Sequence, residues 1–194
     1  MPERTPSQTV GPFLHIGLAP AAYGVREIVG PVVADPGIQG THIRIEGRIL
    51  DGEGNILPDA LVEIWQADAQ GRYAHPADGR PLMSNSFRGF GRCPTDKDGG
   101  FHFDTVKPGP VPGPEGAMQA PHINVGVFSR GLLKRLFTRI YFAGEPANAT
   151  DPILALVPAD RRDTLMARPD PAKPGFYRFD IRLQGKDETV FFDA

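Results

Sequence analysis

Two polar side chains stand two positions apart inside the apolar run APHINVGVF, residues 120–128: His122 and Asn124. In a β-strand alternate residues share a face, so both project the same way. Histidine at both positions would make half of a metal site. Asparagine offers only a neutral amide, a poor donor to a hard, highly charged cation. His122 by itself reads as a hydrogen-bonded interior histidine. The other histidines, His15, His42, His75 and His102, show no metal spacing, and His15 is placed to brace the N-terminal segment against the core. Cys93 has no catalytic partner near it in sequence, so nucleophilic catalysis is not its reading. Trp65 reads as a core aromatic and ADRRD, residues 159–163, as a solvated helix face.

The elements that must hold these residues are short and β-like. THIRIEGRIL alternates, with Ile43, Ile45 and Ile49 on one face and Arg44, Glu46 and Arg48 on the other, which predicts a half-buried strand. DGEGN and DKDGG are hairpin-type turns. ALVEIWQA, FHFDTV, HINVGVF, RLFTRIYF, YRFDIRLQG and ETVFF read as further strands. DPILALVPADRRDTLMA is the main helix candidate, with Asp151 as cap, Pro152 at the first helical position and a restart at Pro158. A second short helix is expected near Ala21–Ile28. With 23 Gly and 21 Pro punctuating the chain, the pattern predicts an all-β fold, an antiparallel β-sandwich with one or two short helices. Residues 1–40 read as an irregular N-terminal arm and residues 41–194 as the core. Lys107–Gly116, KPGPVPGPEG, is a stiff loop whose plain reading is a connector.

Bulk properties narrow the function. A net charge of -2 sets up no field to recruit nucleic acid or an anionic membrane. One cysteine excludes a disulfide framework within the chain and suits a reducing compartment, so a cytoplasmic location is expected. The sequence shows neither a secretory leader nor an apolar run of the roughly 20 residues that a spanning helix needs.

The run Ile45–Tyr73, with Gly47, Val62-Glu63-Ile64 and Gly71-x-Tyr73, resembles the signature of the intradiol ring-cleaving dioxygenases. The likeness continues through the proline-rich loop, APHIN, RIYF, DPILALVP and YRFDIRLQG. It implies a β-sandwich and ring opening of catechols between their two hydroxyls at non-haem ferric iron. Two tyrosines and a His-x-His pair hold that iron, anionic and imidazole donors suited to a hard cation. Carried over position by position, the first tyrosine matches Tyr73 and the first histidine His122. The second tyrosine falls on Val111, in a loop about two residues shorter, and the second histidine on Asn124. Valine ligates nothing, so the resemblance implies vestigial ligand positions and no functional metal site in this chain alone.

This pattern resembles the non-iron alpha chain of a two-chain member of the family. The resemblance implies that a homologous beta chain binds Fe(III), with the two chains packed about a pseudo-two-fold axis in a larger hetero-oligomer. PSQTVGPFLHIGL, residues 6–18, resembles the arm that such a chain lays over the shared site. Thr9, Gly11 and Pro12 match its substrate-facing positions, and Arg130 in VFSRG matches an arginine of the same site. The implied substrate is the small aromatic acid 3,4-dihydroxybenzoate, opened with O2 to 3-carboxy-cis,cis-muconate in aromatic catabolism. Glycine lets backbone approach a flat ring, proline offers it a rigid face, and a guanidinium suits the carboxylate. Taken without the resemblance, Tyr73 is a packed sheet tyrosine, Thr9–Pro12 a turn and Arg130 a surface arginine. Two other readings stay open: a self-sufficient enzyme whose iron site recruits Tyr23, Tyr141 or Tyr177, and a non-enzymatic β-sandwich binding module.

Overall fold

The alternation of THIRIEGRIL becomes β1, His42–Leu50, with Ile43, Ile45 and Ile49 all buried. The computed structural model describes residues 6, 8–11, 13–82, 84 and 86–193. The remaining strands are β2 (Leu61–Trp65), β3 (Phe90–Pro94), β4 (Gly100–Val106), β5 (Val111–Pro112), β6 (Met118–Gln119), β7 (His122–Phe128), β8 (Leu136–Phe142), β9 (Met166–Pro169), β10 (Phe176–Arg178) and β11 (Ile181–Arg182). The fold is all-β. β1 pairs antiparallel with β4, β2 with both β3 and β7, and β7 with β8.

Three pairings correct the wholly antiparallel expectation. β1 runs parallel to β10 and to β11, and β8 runs parallel to β9. Parallel neighbours need a crossover rather than a hairpin. The turns between residues 146 and 165 supply one, returning the chain alongside β8 in the same direction. The result is one mixed sheet of nine strands, with β5 and β6 forming a separate two-stranded ribbon. Ile45, Ile49, Phe101 and Phe103 from β1 and β4 share one buried cluster with Val62, Ile64, Ile123, Val125 and Ile140 from β2, β7 and β8.

Several local expectations also change. YRFDIRLQG splits into β10 and β11, because the backbone at Phe179 turns in against Gly47. A Cβ at Gly47 would lie 1.7 Å from the Phe179 carbonyl oxygen. ETVFF forms no strand, only a bridge from Phe192 to Phe137. The helix expected near Ala21–Ile28 lies earlier, as α1 (Leu14–Leu18) and a 3-10 turn at Pro20–Tyr23 that Gly24 ends in the left-handed conformation. The long helix candidate is instead a run of 3-10 turns, Pro146–Thr150, Leu154–Leu156 and Ala159–Leu165. Pro152 and Pro158 lack the N–H groups that an α-helical ladder requires. Asp151 caps as expected: its Oδ1 accepts from the backbone N–H of Ile153 at 2.9 Å and of Leu154 at 2.7 Å.

Both predicted turns form, each around an aspartate. Asp51 Oδ1 accepts from the N–H of Glu53 and Asn55, and Asp96 Oδ1 from that of Asp98 and Gly100. At the other end of the arm, Val33, Ala34 and Ile38 enter the main core, and the Val33 N–H donates to the Asp104 carbonyl at 2.8 Å. Among the described residues no helix is long and apolar enough to cross a membrane.

Candidate functional site

The outer face of β7 and β8 carries the residues singled out by spacing. His122 and Asn124 do project from one face of β7, opposite Tyr141 and Arg139 of β8 respectively. His122 is 2% exposed, and its Nδ1 donates to the Ala120 carbonyl at 2.8 Å. A carbonyl only accepts, so the proton sits on Nδ1 and the lone pair on Nε2. Burial, with the positive charge of Arg139, pushes the His122 pKa down to about 4. The imidazole is therefore neutral and oriented as a metal-binding histidine would be.

Tyr73 reaches this face from the loop after β2. Its ring stacks on Trp65 with centroids 5.7 Å apart and planes 17° from parallel. Its backbone N–H donates to Asp78 Oδ2 at 2.8 Å. The signature residue Gly71 shapes the approach: it sits at φ 75°, and a Cβ there would lie 1.9 Å from the Pro110 carbonyl oxygen. Asn124 Nδ2 donates to the Tyr73 hydroxyl at 3.5 Å, a long and weak bond. Burial raises the Tyr73 pKa, outweighing the opposite pull of Asn124 and Arg139, so the phenol stays protonated.

Val111 is buried on β5, its register partner being Gln119 of β6. Gln119 in turn accepts from Arg139 at 2.7 Å through its Oε1. The same Arg139 nitrogen, a terminal one, also donates to the Tyr141 hydroxyl at 3.3 Å. That hydroxyl donates to Asp151 Oδ1 at 3.2 Å, and burial raises the Tyr141 pKa to about 12. Asp151, 1% exposed, accepts from the Ala120 N–H at 2.7 Å through Oδ2, which fixes the start of the strand.

Of the four positions that the resemblance singled out, Tyr73 and Asn124 touch, His122 shares their strand face, and Val111 is linked to them through Gln119 and Arg139. Sequence reasoning missed Arg139 and Gln119. The alternation of RLFTRIYF places Arg139 on the face of Tyr141, but only the β7–β8 register puts it opposite Asn124. As a donor set for ferric iron the residues do not fit: Val111 has no donor atom and Asn124 offers only a neutral amide. The tyrosines weighed as replacements do not repair this. Tyr23 stands 56% exposed on the arm, Tyr177 packs edge-on against Phe142, and Tyr141 is committed to Asp151. Among the described residues no group of three or more His, Cys, Asp or Glu could hold a metal. Cys93 is buried on β3 and burial pushes its thiol pKa up, which leaves it unreactive.

The other set of candidates lies at the surface. Arg130 follows β7, eight positions beyond His122, and its exposed guanidinium pairs with Asp59. Thr9 and Gly11 are exposed, and a Cβ added at Gly11 would meet nothing within 4 Å. Among the described residues no hydrogen bond or ion pair joins Thr9 or Gly11 to Arg130. Pro12 and the side chain of His15 lie outside the described residues.

Residues 30–185 match the model of a family described as dioxygenase. The chain is 47% identical to the protocatechuate 3,4-dioxygenase alpha chain of Burkholderia cepacia, over 99% of this chain and 98% of that one. It is 42% identical to the beta chain from the same organism, over 77% of this chain and 67% of that one. Among solved structures, the dioxygenase domain of a carbohydrate-binding fusion protein from a Streptomyces species superposes with a TM-score of 0.62 at 26% identity, covering 94% of this chain and 99% of that one.

Proposed function

The chain belongs to the intradiol dioxygenase family, and from that premise we propose that it serves as the alpha chain of a two-chain protocatechuate 3,4-dioxygenase in the cytoplasm. The observation that carries this reading is the loss of donors at two of the four ligand positions, Val111 and Asn124, in a chain that otherwise keeps the family pattern from arm to C-terminal strands. A homologous beta chain would hold Fe(III), which supplies the activation of the bound catechol and dioxygen. This chain would supply the wall of the shared site. In this reading the sheet closes as a two-layer sandwich, consistent with side chains from both ends of the sheet meeting in one core.

Each wall residue has a physical part. Arg130 is exposed and, among the described residues, held by a surface pair with Asp59 alone, so its guanidinium can turn to an anionic ring substituent. A Cβ added at Gly11 would meet nothing within 4 Å, so its Cα side is open to a flat ring while its carbonyl accepts from the Leu14 N–H at 3.1 Å. The exposed Thr9 offers a hydroxyl, and Pro12 beside Gly11 would complete the apolar rim. Packing of the arm over the partner would keep water from the reacting ring.

Iron content and oxygen uptake with 3,4-dihydroxybenzoate test the reading, on this chain alone and co-expressed with a homologous beta chain. The expected result is a colourless, inactive single chain and a coloured, active complex. Ferric iron and turnover in the single chain, or a complex no more active than the beta chain alone, would overturn it.

A further inference from the structure

Losing ligands explains why iron would be held weakly; it does not explain the cation that stands in their midst. Arg139 lies opposite one of the four positions and bonds to the strand partners of two others. It is the cross-strand partner of Asn124. It donates to Gln119, the register partner of Val111, and to the hydroxyl of Tyr141, the cross-strand partner of His122. Tyr73 and His122 are the two positions of the four that keep a ligand-type side chain.

We propose that Arg139 is the resident cation of the degenerate site, and that its guanidinium excludes iron from this chain independently of the missing ligands. The argument is one of charge. A partly buried monocation among the donors repels a trivalent ion at close range, where solvent screens poorly. One terminal nitrogen donates to both Gln119 and Tyr141, so the guanidinium cannot swing away without giving up both hydrogen bonds. The guanidinium also satisfies the Gln119 amide oxygen and donates to the Tyr141 hydroxyl, so these neighbours of the ligand positions are paired without a metal. This inference concerns the chain's own residues and holds whether or not the beta chain is its partner.

Restoring the ligands separates the two explanations. In the full chain, Val111→Tyr with Asn124→His is compared with the same pair plus Arg139→Gln, after loading with ferrous iron and reoxidation. Iron is counted chemically and read from the visible phenolate-to-iron absorption band. The ligand-restored chain is expected to stay nearly iron-free, and the version that also lacks Arg139 to bind at least about tenfold more, with colour. Arg139→Met in the same background guards against a misfolded Gln variant, folding being checked by circular dichroism. Arg139→Lys keeps the charge and is expected to remain colourless. Full iron loading with Arg139 present would overturn the proposal, as would iron in the Lys variant, or either neutral variant that folds and still rejects iron.

Discussion

One strand joins two regions of opposite character. At its start, His122 is buried, its imidazole tied to Ala120 and its neighbours tied into a network through Arg139, Tyr141 and Asp151. Just beyond its end, Arg130 stands in solvent with a single surface partner. The buried region is tied together from within: His122 to Ala120, Arg139 to Gln119 and Tyr141, and Tyr141 to Asp151. The exposed region is protein surface, where the Arg130 guanidinium pairs with Asp59 and otherwise meets solvent among the described residues. The contrast is between groups fixed by one another inside the chain and a group held by one screened surface pair.

The largest expected effect falls on the closed region. Asp151→Ala removes one carboxylate from three backbone N–H groups and a phenol, leaving buried donors bare, and should cost about 4 kcal/mol of stability. Urea unfolding at neutral pH measures it, and a loss under about 1 kcal/mol would mean that water replaces the carboxylate. A smaller effect of the same origin is pH dependence. The folded pKa of His122 lies near 4, below the usual imidazole value, so the unfolded chain binds its proton first as pH falls. Stability from this group is complete above about pH 6.5 and is lost progressively toward pH 4, about 3 kcal/mol in all. His122→Gln should flatten that slope, and an unchanged slope would place the titration elsewhere. At the open end, Arg130→Ala should leave unfolding within about 0.5 kcal/mol of the parent. It should nonetheless lower kcat/KM for 3,4-dihydroxybenzoate about tenfold in the assembled enzyme, with iron content unchanged. Equal kinetics would remove Arg130 from the shared site and erase the contrast.

The sequence revealed these regions unevenly. β1 announced itself because one face is core and the other water, and its alternation is the direct imprint of that. β3 did not, because Gly91 and Pro94 interrupt the pattern that a strand of FGRCP would otherwise show. The family signature led to the vestigial positions, since each is a fixed residue in a local motif. Arg139 escaped because its meaning lies in a pairing register, Asn124 against Arg139, that two separate segments establish only on folding. The parallel strands escaped for the same reason, and the 3-10 run was misjudged because its apolar spacing suited a helix while its prolines did not.

The pairing of β1 with β10 and β11 carries a consequence for how the protein comes into being. Glu46 and Arg178, linked by a hydrogen bond across that seam, are 132 positions apart. A ribosome emitting the chain releases β1 long before its parallel neighbours exist, so one edge of that strand waits with its amides bare. Contacts of such long range slow closure and prolong the time during which an incomplete chain can pair with the wrong strand. A stop codon before residue 176 would then do more harm than the few lost residues suggest, because it would make that waiting state permanent.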